Sequence, residues 1–313
     1  MIDIVITYLN SNDKKWIEDY NYWKNKEIKE GKADKDNRQA FGIERIREWD
    51  TLRYWFRGIE NNCKWVNKIF LVVQNERHVP SWINKDNPKL RIVYHDEYIP
   101  KELLPTFNAM TIANYVSNLE DLSETYIFSD DDYYFLNPIP EDMFFKEGRP
   151  VHPNNRVPYE FFNNNETSDK VFYQILDSTL RFEERYMKEK VKYGFYHLPE
   201  ARLKSFEQKI IKENEKEILD SYISSKFRHN TNLCPYMFND LLKICNKAIE
   251  GDPYKNSSYC NLDSTVQFSK YKDKDIVCFN DTERLDDYGI TKIKLINFLK
   301  KKFPNKCSYE KGE

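Results

Sequence analysis

Thr125-Tyr126-Ile127-Phe128-Ser129-Asp130-Asp131-Asp132 is a short apolar run that stops on three consecutive carboxylates. Its β-branched and aromatic residues read as a buried strand. Coulomb repulsion makes the acidic triplet costly unless water or a cation neutralises it. Alone, the segment is open between a solvated acidic turn and a divalent-metal site at a strand end. Three upstream runs repeat the strand pattern, at residues 2–7, 68–73 and 91–94. Amphipathic helical stretches separate them, at 13–30, 43–61 and 108–118. In the second of these, Ile46, Trp49, Leu52, Tyr54, Phe56 and Ile59 recur near helical spacing. This βαβ alternation predicts an α/β fold with a doubly wound, mostly parallel, Rossmann-like sheet.

Such sheets bind ligands outside the carboxyl ends of their strands. The residues just past each run are polar: Tyr8, Asn10 and Asp13, then Gln74 and Asn75, then His95 and Asp96, then the acidic triplet. The second half reads mainly helical, at 170–190, 200–214, 217–225 and 235–250. A late strand at 275–279 ends on Asn280-Asp281, and a basic helix at 292–302 leads into Phe303-Pro304. The Asn-rich stretch 154–168 reads as a loop. The chain therefore divides into an α/β half, 1–150, and a mainly helical half, 151–313, that share one active site.

Composition narrows the classes. At 313 residues, 40% apolar and 32% charged, the chain is long enough for a large core. A net charge of −2 gives no field that recruits nucleic acid. The six cysteines are widely spaced with no CxxC pair, which fits reduced thiols in the cytoplasm. No apolar run is long enough to span a bilayer, and residues 2–7 read as a first strand and not as a signal peptide.

In order along the chain, these clusters resemble the four conserved regions of the Stealth family. Its members are sugar-1-phosphate transferases of bacterial capsule and cell-surface polysaccharide synthesis, related to the eukaryotic GlcNAc-1-phosphotransferase. Ile2-Asp-Ile-Val-Ile-Thr-Tyr8-Leu-Asn10-Ser11-Asn-Asp13 is similar to the first region, with Tyr8 in place of Trp and Ser11 in place of Gly. The second region is matched by Arg45-Ile-Arg47-Glu-Trp-Asp50-Thr51-Leu-Arg53-Tyr54, by Leu104-Pro105-Thr-Phe-Asn108, and by the triplet itself, where Asp130 stands for the usual Asn. His197-Leu-Pro199 and Phe227-Arg228-His229 resemble the third region. Val277-Cys278-Phe-Asn280-Asp281 and Phe303-Pro304 through Tyr309-Glu310 resemble the fourth.

The resemblance implies a GT-A-like nucleotide-sugar fold and transfer of hexose-1-phosphate from a UDP-sugar to a hydroxyl of an acceptor glycan, with release of UMP. Asp131, Asp132 and Asp281 are the expected ligands of Mg²⁺ or Mn²⁺. Arg47, Arg53 and Arg228 suit bidentate phosphate contact, although an ion pair inside the fold would use the same residues. His197 is the expected general base, and Asp132 and Arg228 are expected at the reacting centre. Tyr8, Asn10, Asp13, Asn108 and His229 are expected around the donor, with a helix-capping role open for Asn108. The acceptor is expected to be a lipid-linked oligosaccharide. Leu295, Phe298 and Leu299 would pack the tail helix on the body, and its lysines leave peripheral contact with the inner face of the cell membrane open. The alternatives are a glycosyltransferase that moves the sugar alone and releases UDP, and a non-catalytic sugar or nucleotide binder.

Overall fold

The structure is a computed structural model that describes residues 1–153, 170–188 and 197–312. The loop expected at 154–168 and the last two residues of the helix expected at 170–190 lie outside the described residues. The strands are β1 (Ile2–Thr7), β2 (Val66–Val73), β3 (Leu90–Tyr94), β4 (Thr125–Ser129), β5 (Tyr133–Phe135), β6 (Phe145–Lys146), β7 (Arg149–His152), β8 (Glu200–Leu203), β9 (Ile249–Glu250), β10 (Ser258–Asn261) and β11 (Ile276–Asn280). The helices are α1 (Lys14–Lys29), α2 (Arg38–Phe41), α3 (Leu52–Asn62), α4 (Ala109–Asn114), α5 (Lys170–Met187), α6 (Lys204–Glu213), α7 (Glu215–Ile223), α8 (Met237–Ile244) and α9 (Tyr288–Lys302).

The central sheet has the order β3-β2-β1-β4-β8. Its first four strands are parallel, and β8 joins β4 antiparallel. Side chains alternate across this sheet, as a strand's two-residue period requires. Ile4, Ile6, Ile69, Leu71 and Ile127 face α3, where Leu52, Trp55, Phe56 and Ile59 cover them. Val5, Phe70, Val72, Tyr126 and Phe128 face the opposite layer with Phe206, Ile210, Phe238 and Leu241. Burial on both faces explains why the strands read as continuous apolar runs. A second sheet, β10-β11-β5, extends the strand end that carries the acidic triplet. Gly58 lets α3 press on β5, since a Cβ there would lie 2.9 Å from the Phe135 carbonyl oxygen.

The second half is less separate than its helical reading suggests. Residues 200–203, expected to open a helix, form β8 instead. Arg202 is fully buried and forks onto Glu200 Oε2 at 2.9 and 2.7 Å, and Asn239 of α8 donates to the same oxygen at 2.7 Å. Pairing with β4 and this buried charge network outweigh local helix preference. Residues 46–51, expected within a helix, are also irregular. Tyr134 Oη donates to Thr51 Oγ1 at 2.6 Å just before α3 begins, and Asp50 takes a left-handed φ of 56°.

The chain terminus is bolted to α3. Arg57 donates to both Glu310 oxygens at 2.6 and 2.8 Å and to the Phe303 carbonyl at 2.8 Å. Both side chains are almost fully buried. Replacing Arg57 with Met strands a buried carboxylate, so a loss of about 3–5 kcal/mol in chemical denaturation is expected. Adding Glu310→Gln to that variant should recover part of the loss, and an additive double variant would refute the pairing.

Candidate active site

The strand ends meet in a cleft with two chambers. The first, about 280 Å³, lies outside the carboxyl ends of β1, β2 and β4 and is lined by Tyr8, Gln74, Arg47 and the acidic triplet. The second, about 820 Å³, lies toward β8 and β10 and is lined by Tyr236, Tyr254, Tyr259 and Asn261. Asp130, His197, Arg228, Arg45 and Asp281 line both chambers. Residues on both sides of position 150 line the two chambers.

Local structure fixes the triplet. Trp55 of α3 donates to Ser129 Oγ at 3.1 Å, which pins the end of β4. Phe279 N–H then takes the Asp132 carbonyl at 3.0 Å, which ties the turn to β11. Burial, and then the charge of Asp132, push the carboxyls of Asp130 and Asp131 above the usual range. Asp132 Oδ1 is buried with no hydrogen-bond partner among the described residues. An unpaired buried acceptor costs about 1–3 kcal/mol. An uncompensated acidic cluster with an orphaned oxygen is a donor set that fits a divalent cation.

His197 stands against this cluster. The hydroxyls of Tyr133 and Tyr236 meet its Nδ1 at 3.0 and 2.6 Å, so Nε2 faces Asp132 Oδ2, 3.9 Å away. Burial favours the neutral imidazole, but the Asp132 contact and the charges of Asp132, Asp130 and Glu200 outweigh it and raise the pKa. The Cys278 thiol lies 3.4 Å from Asp132 Oδ2 and completes a group in which Asp132, His197 and Cys278 offer atoms within 4.8 Å of one another. Burial, and then Asp132, keep that thiol protonated.

Cationic charge lines the wall between the chambers. Arg45 and Arg228 each donate to Gln39 Oε1 at 3.1 Å, so two guanidinium groups converge on one neutral amide. Burial and the neighbouring Arg45 push Arg228 down to about 9. Two like charges held together in a half-buried wall suit an anionic ligand, with Glu44 Oε1 3.8 Å from Arg45 offsetting part of that charge. Arg47, by contrast, is already paired with Asp281 at 2.6 Å, and Trp49 Nε1 donates to the other Asp281 oxygen at 3.2 Å. Burial raises the Asp281 carboxyl despite that arginine. A metal-ligand role for Asp281 requires this ion pair to open. Tyr8 donates to Glu48 Oε2 at 2.9 Å on the first chamber's wall.

Five residues expected in the site lie outside both chamber linings. Arg53 stacks over Trp82 at 5.2 Å. Asn108 is fully buried, caps α4 through Met110 N–H, and donates to Asn232 Oδ1 at 2.8 Å. Asp13 caps α1 and pairs with Arg77 at 2.8 Å. Asn10 uses its backbone N–H on His78 Nδ1 at 3.2 Å. His229 bonds Thr231 at 2.9 Å. Arg45 and Tyr236 line the cleft without having been singled out, and the buried Tyr133 and Cys278 support it from behind through His197 and Asp132. Arg45 lies in the quoted Arg45-Ile-Arg47 pair, but residues two apart point away from each other on a helix.

Three comparisons bear on this arrangement. The family model described as Stealth protein CR2, conserved region 2, matches residues 45–152. The capsular polysaccharide phosphotransferase WcwK of Streptococcus pneumoniae is 30% identical, over 99% of this chain and 98% of its own. The receptor polysaccharide phosphotransferase WefC of Streptococcus oralis is 27% identical over 99% of both. A galactosyltransferase crystal structure, LgtC with donor and acceptor sugar analogs, aligns over 96% of both chains at 8% identity and a TM-score of 0.41, a distance at which nothing follows about this chain's chemistry.

Proposed function

The chain belongs to the Stealth family, and on that premise we propose that it transfers hexose-1-phosphate from a UDP-sugar to a hydroxyl of an acceptor glycan in cell-surface polysaccharide synthesis. The observation that carries this reading is the shared wall: His197, Asp130, Arg45 and Arg228 face both chambers. Two substrates meeting across a base and two guanidiniums is what a phosphoryl transfer between them needs.

The donor occupies the first chamber, with its diphosphate against Arg45 and Arg228. The acceptor glycan occupies the second, where Tyr254 and Tyr259 offer aromatic faces and Asn261 a hydrogen-bonding amide. A volume of about 820 Å³ lies within the range of about 300–1,000 Å³ that sites for organic ligands occupy. With Nδ1 protonated and held by the Tyr133 and Tyr236 oxygens, His197 Nε2 takes the proton of the acceptor hydroxyl. That oxygen bonds to the β-phosphorus, which already carries the sugar. The bond from the β-phosphorus to the bridging oxygen breaks, and the bridging oxygen leaves with UMP. Asp132 and Asp130 stabilise the imidazolium that forms.

Asp131 and Asp132 are the residues that would hold Mg²⁺ or Mn²⁺, hard cations that favour oxygen ligands over the Cys278 sulfur. The bound ion supplies charge neutralisation for the diphosphate. Among the described residues no helix is long and apolar enough to cross a membrane. A lipid-linked acceptor would therefore be met at the membrane surface, with α9 lysines as the contact.

The test is the leaving nucleotide. Purified protein given a UDP-sugar panel, an acceptor glycan and Mn²⁺ should release UMP in step with phosphodiester product. Stoichiometric UDP would instead make the chain a glycosyltransferase and overturn the phosphotransfer reading.

A further inference from the structure

The first chamber has a second region, built from the ends of β2 and β3 and from the segment after β1. Gln74 Oε1, His78 Nε2 and His95 Nδ1 are buried there without a hydrogen-bond partner among the described residues. All three residues line that chamber. A folded protein rarely keeps buried polar atoms unpaired, and three in one wall suggest that a ligand brings their partners.

The protonation of this wall follows from its contacts. Burial pushes His95 down to about 3 and holds His78 below its usual range, so both rings are neutral. The Asn10 N–H donates to His78 Nδ1 at 3.2 Å, which places that ring's one proton on Nε2. Asp13 Oδ2 is 4.0 Å from Nε2, too far to accept it. Gln74 Oε1 is an acceptor. The neutral His95 ring carries its one proton on Nδ1 or on Nε2: on Nδ1 the wall offers two donors and one acceptor, on Nε2 one donor and two acceptors. Trp16 and Phe107 line the same chamber, with ring centroids 5.7 Å apart, and Trp16 lies 6.4 Å from the His78 ring.

A flat, uncharged ligand edge with two acceptors and one donor complements the first of these two arrangements. Uracil and cytosine both present such an edge, whereas the guanine edge has two donors and one acceptor. We propose that Gln74, His78 and His95 form the base-reading subsite of the chain and select a pyrimidine nucleotide, with Trp16 and Phe107 as its apolar flank. Asn10 then acts as a positioning residue, through its backbone hold on His78. The inference rests on the reading that the donor is a nucleoside diphosphate sugar, and it assigns the residues that choose the nucleoside.

Binding, not turnover, tests it. The full chain in Mg²⁺ is titrated with UDP, CDP, GDP, ADP and pyrophosphate by calorimetry. UDP or CDP should bind at least tenfold more tightly than GDP and ADP. Gln74→Leu and His78→Phe should each weaken UDP binding about tenfold and leave pyrophosphate within twofold, because pyrophosphate carries no base. His78→Gln, which restores an N–H donor, should recover part of the loss, and thermal melts identify any variant that fails to fold. Equal affinity for all four nucleotides, unchanged UDP binding in both Gln74→Leu and His78→Phe, or parallel loss of UDP and pyrophosphate would overturn the subsite. Release of UDP instead of UMP in the transfer assay would overturn the phosphotransfer reading and leave this result standing.

Discussion

His197→Ala is expected to lower kcat by at least about 100-fold while UDP-sugar affinity stays within about twofold, since a positioned general base contributes about 10²–10⁴ in rate. The expectation follows from where the ring points. Nδ1 is occupied by Tyr133 and Tyr236, Nε2 lies toward Asp132, and the residue lines both chambers. The donor's phosphates have the Arg45 and Arg228 guanidiniums for contact, so removing an imidazole takes away proton transfer and little binding energy. Single-turnover rates together with donor affinity separate the two effects. A parallel fall in donor affinity would make His197 a binding residue and would leave the acceptor hydroxyl without its base.

Asp132→Asn is expected to raise the Mg²⁺ or Mn²⁺ concentration needed for half-maximal donor binding by more than about tenfold, because it keeps the shape of a ligand and removes its charge. Burial and like charge already hold Asp130 and Asp131 toward protonation, so Asp132 is the member of the triplet that raises both neighbours. Cys278→Ser keeps a hydrogen-bond donor near Asp132 and should leave the metal requirement unchanged. Metal titrations of donor binding read both variants. An unaltered requirement in Asp132→Asn would remove the triplet from metal binding. A raised requirement in Cys278→Ser would instead indicate a softer ion held by Asp132, His197 and Cys278.

Much of the site was legible as a set of strand ends. Parallel strands buried on both faces announce themselves by composition, and their carboxyl ends fall on Tyr8, Gln74, His95 and the triplet. The individual roles were harder to read, because polar residues at strand ends also cap helices and close turns. Asn108 and Asp13 have the residue types of ligand contacts and the positions of N-caps, and the structure uses both as caps. Arg53 lies inside α3, where helical geometry turns it toward Trp82. Arg45 and Arg47 could both reach the cleft only because the helix expected at 43–61 breaks between Ile46 and Thr51. Ties to Asp281 and Tyr134, both remote in sequence, accompany that break.

The sequence by itself determined the four parallel strands of the central sheet, their two-sided burial and the acidic triplet at one strand end. These are properties of local periodicity and composition, which each segment carries regardless of its neighbours. Only the tertiary structure decided which side chains share a space. His197 is held by Tyr133 and Tyr236, 64 and 39 positions away, and Arg228 meets Gln39 across 189 positions. Spacing along the chain encodes no such convergence. It arises from sheet order, from β8 joining the central sheet, and from β11 pairing with β5 beside the triplet. Asp130 and Asp132, half-buried, and Asp131, exposed, thereby stand beside one histidine, and the buried Asp132 Oδ1, unpaired among the described residues, is the atom that a cation would satisfy.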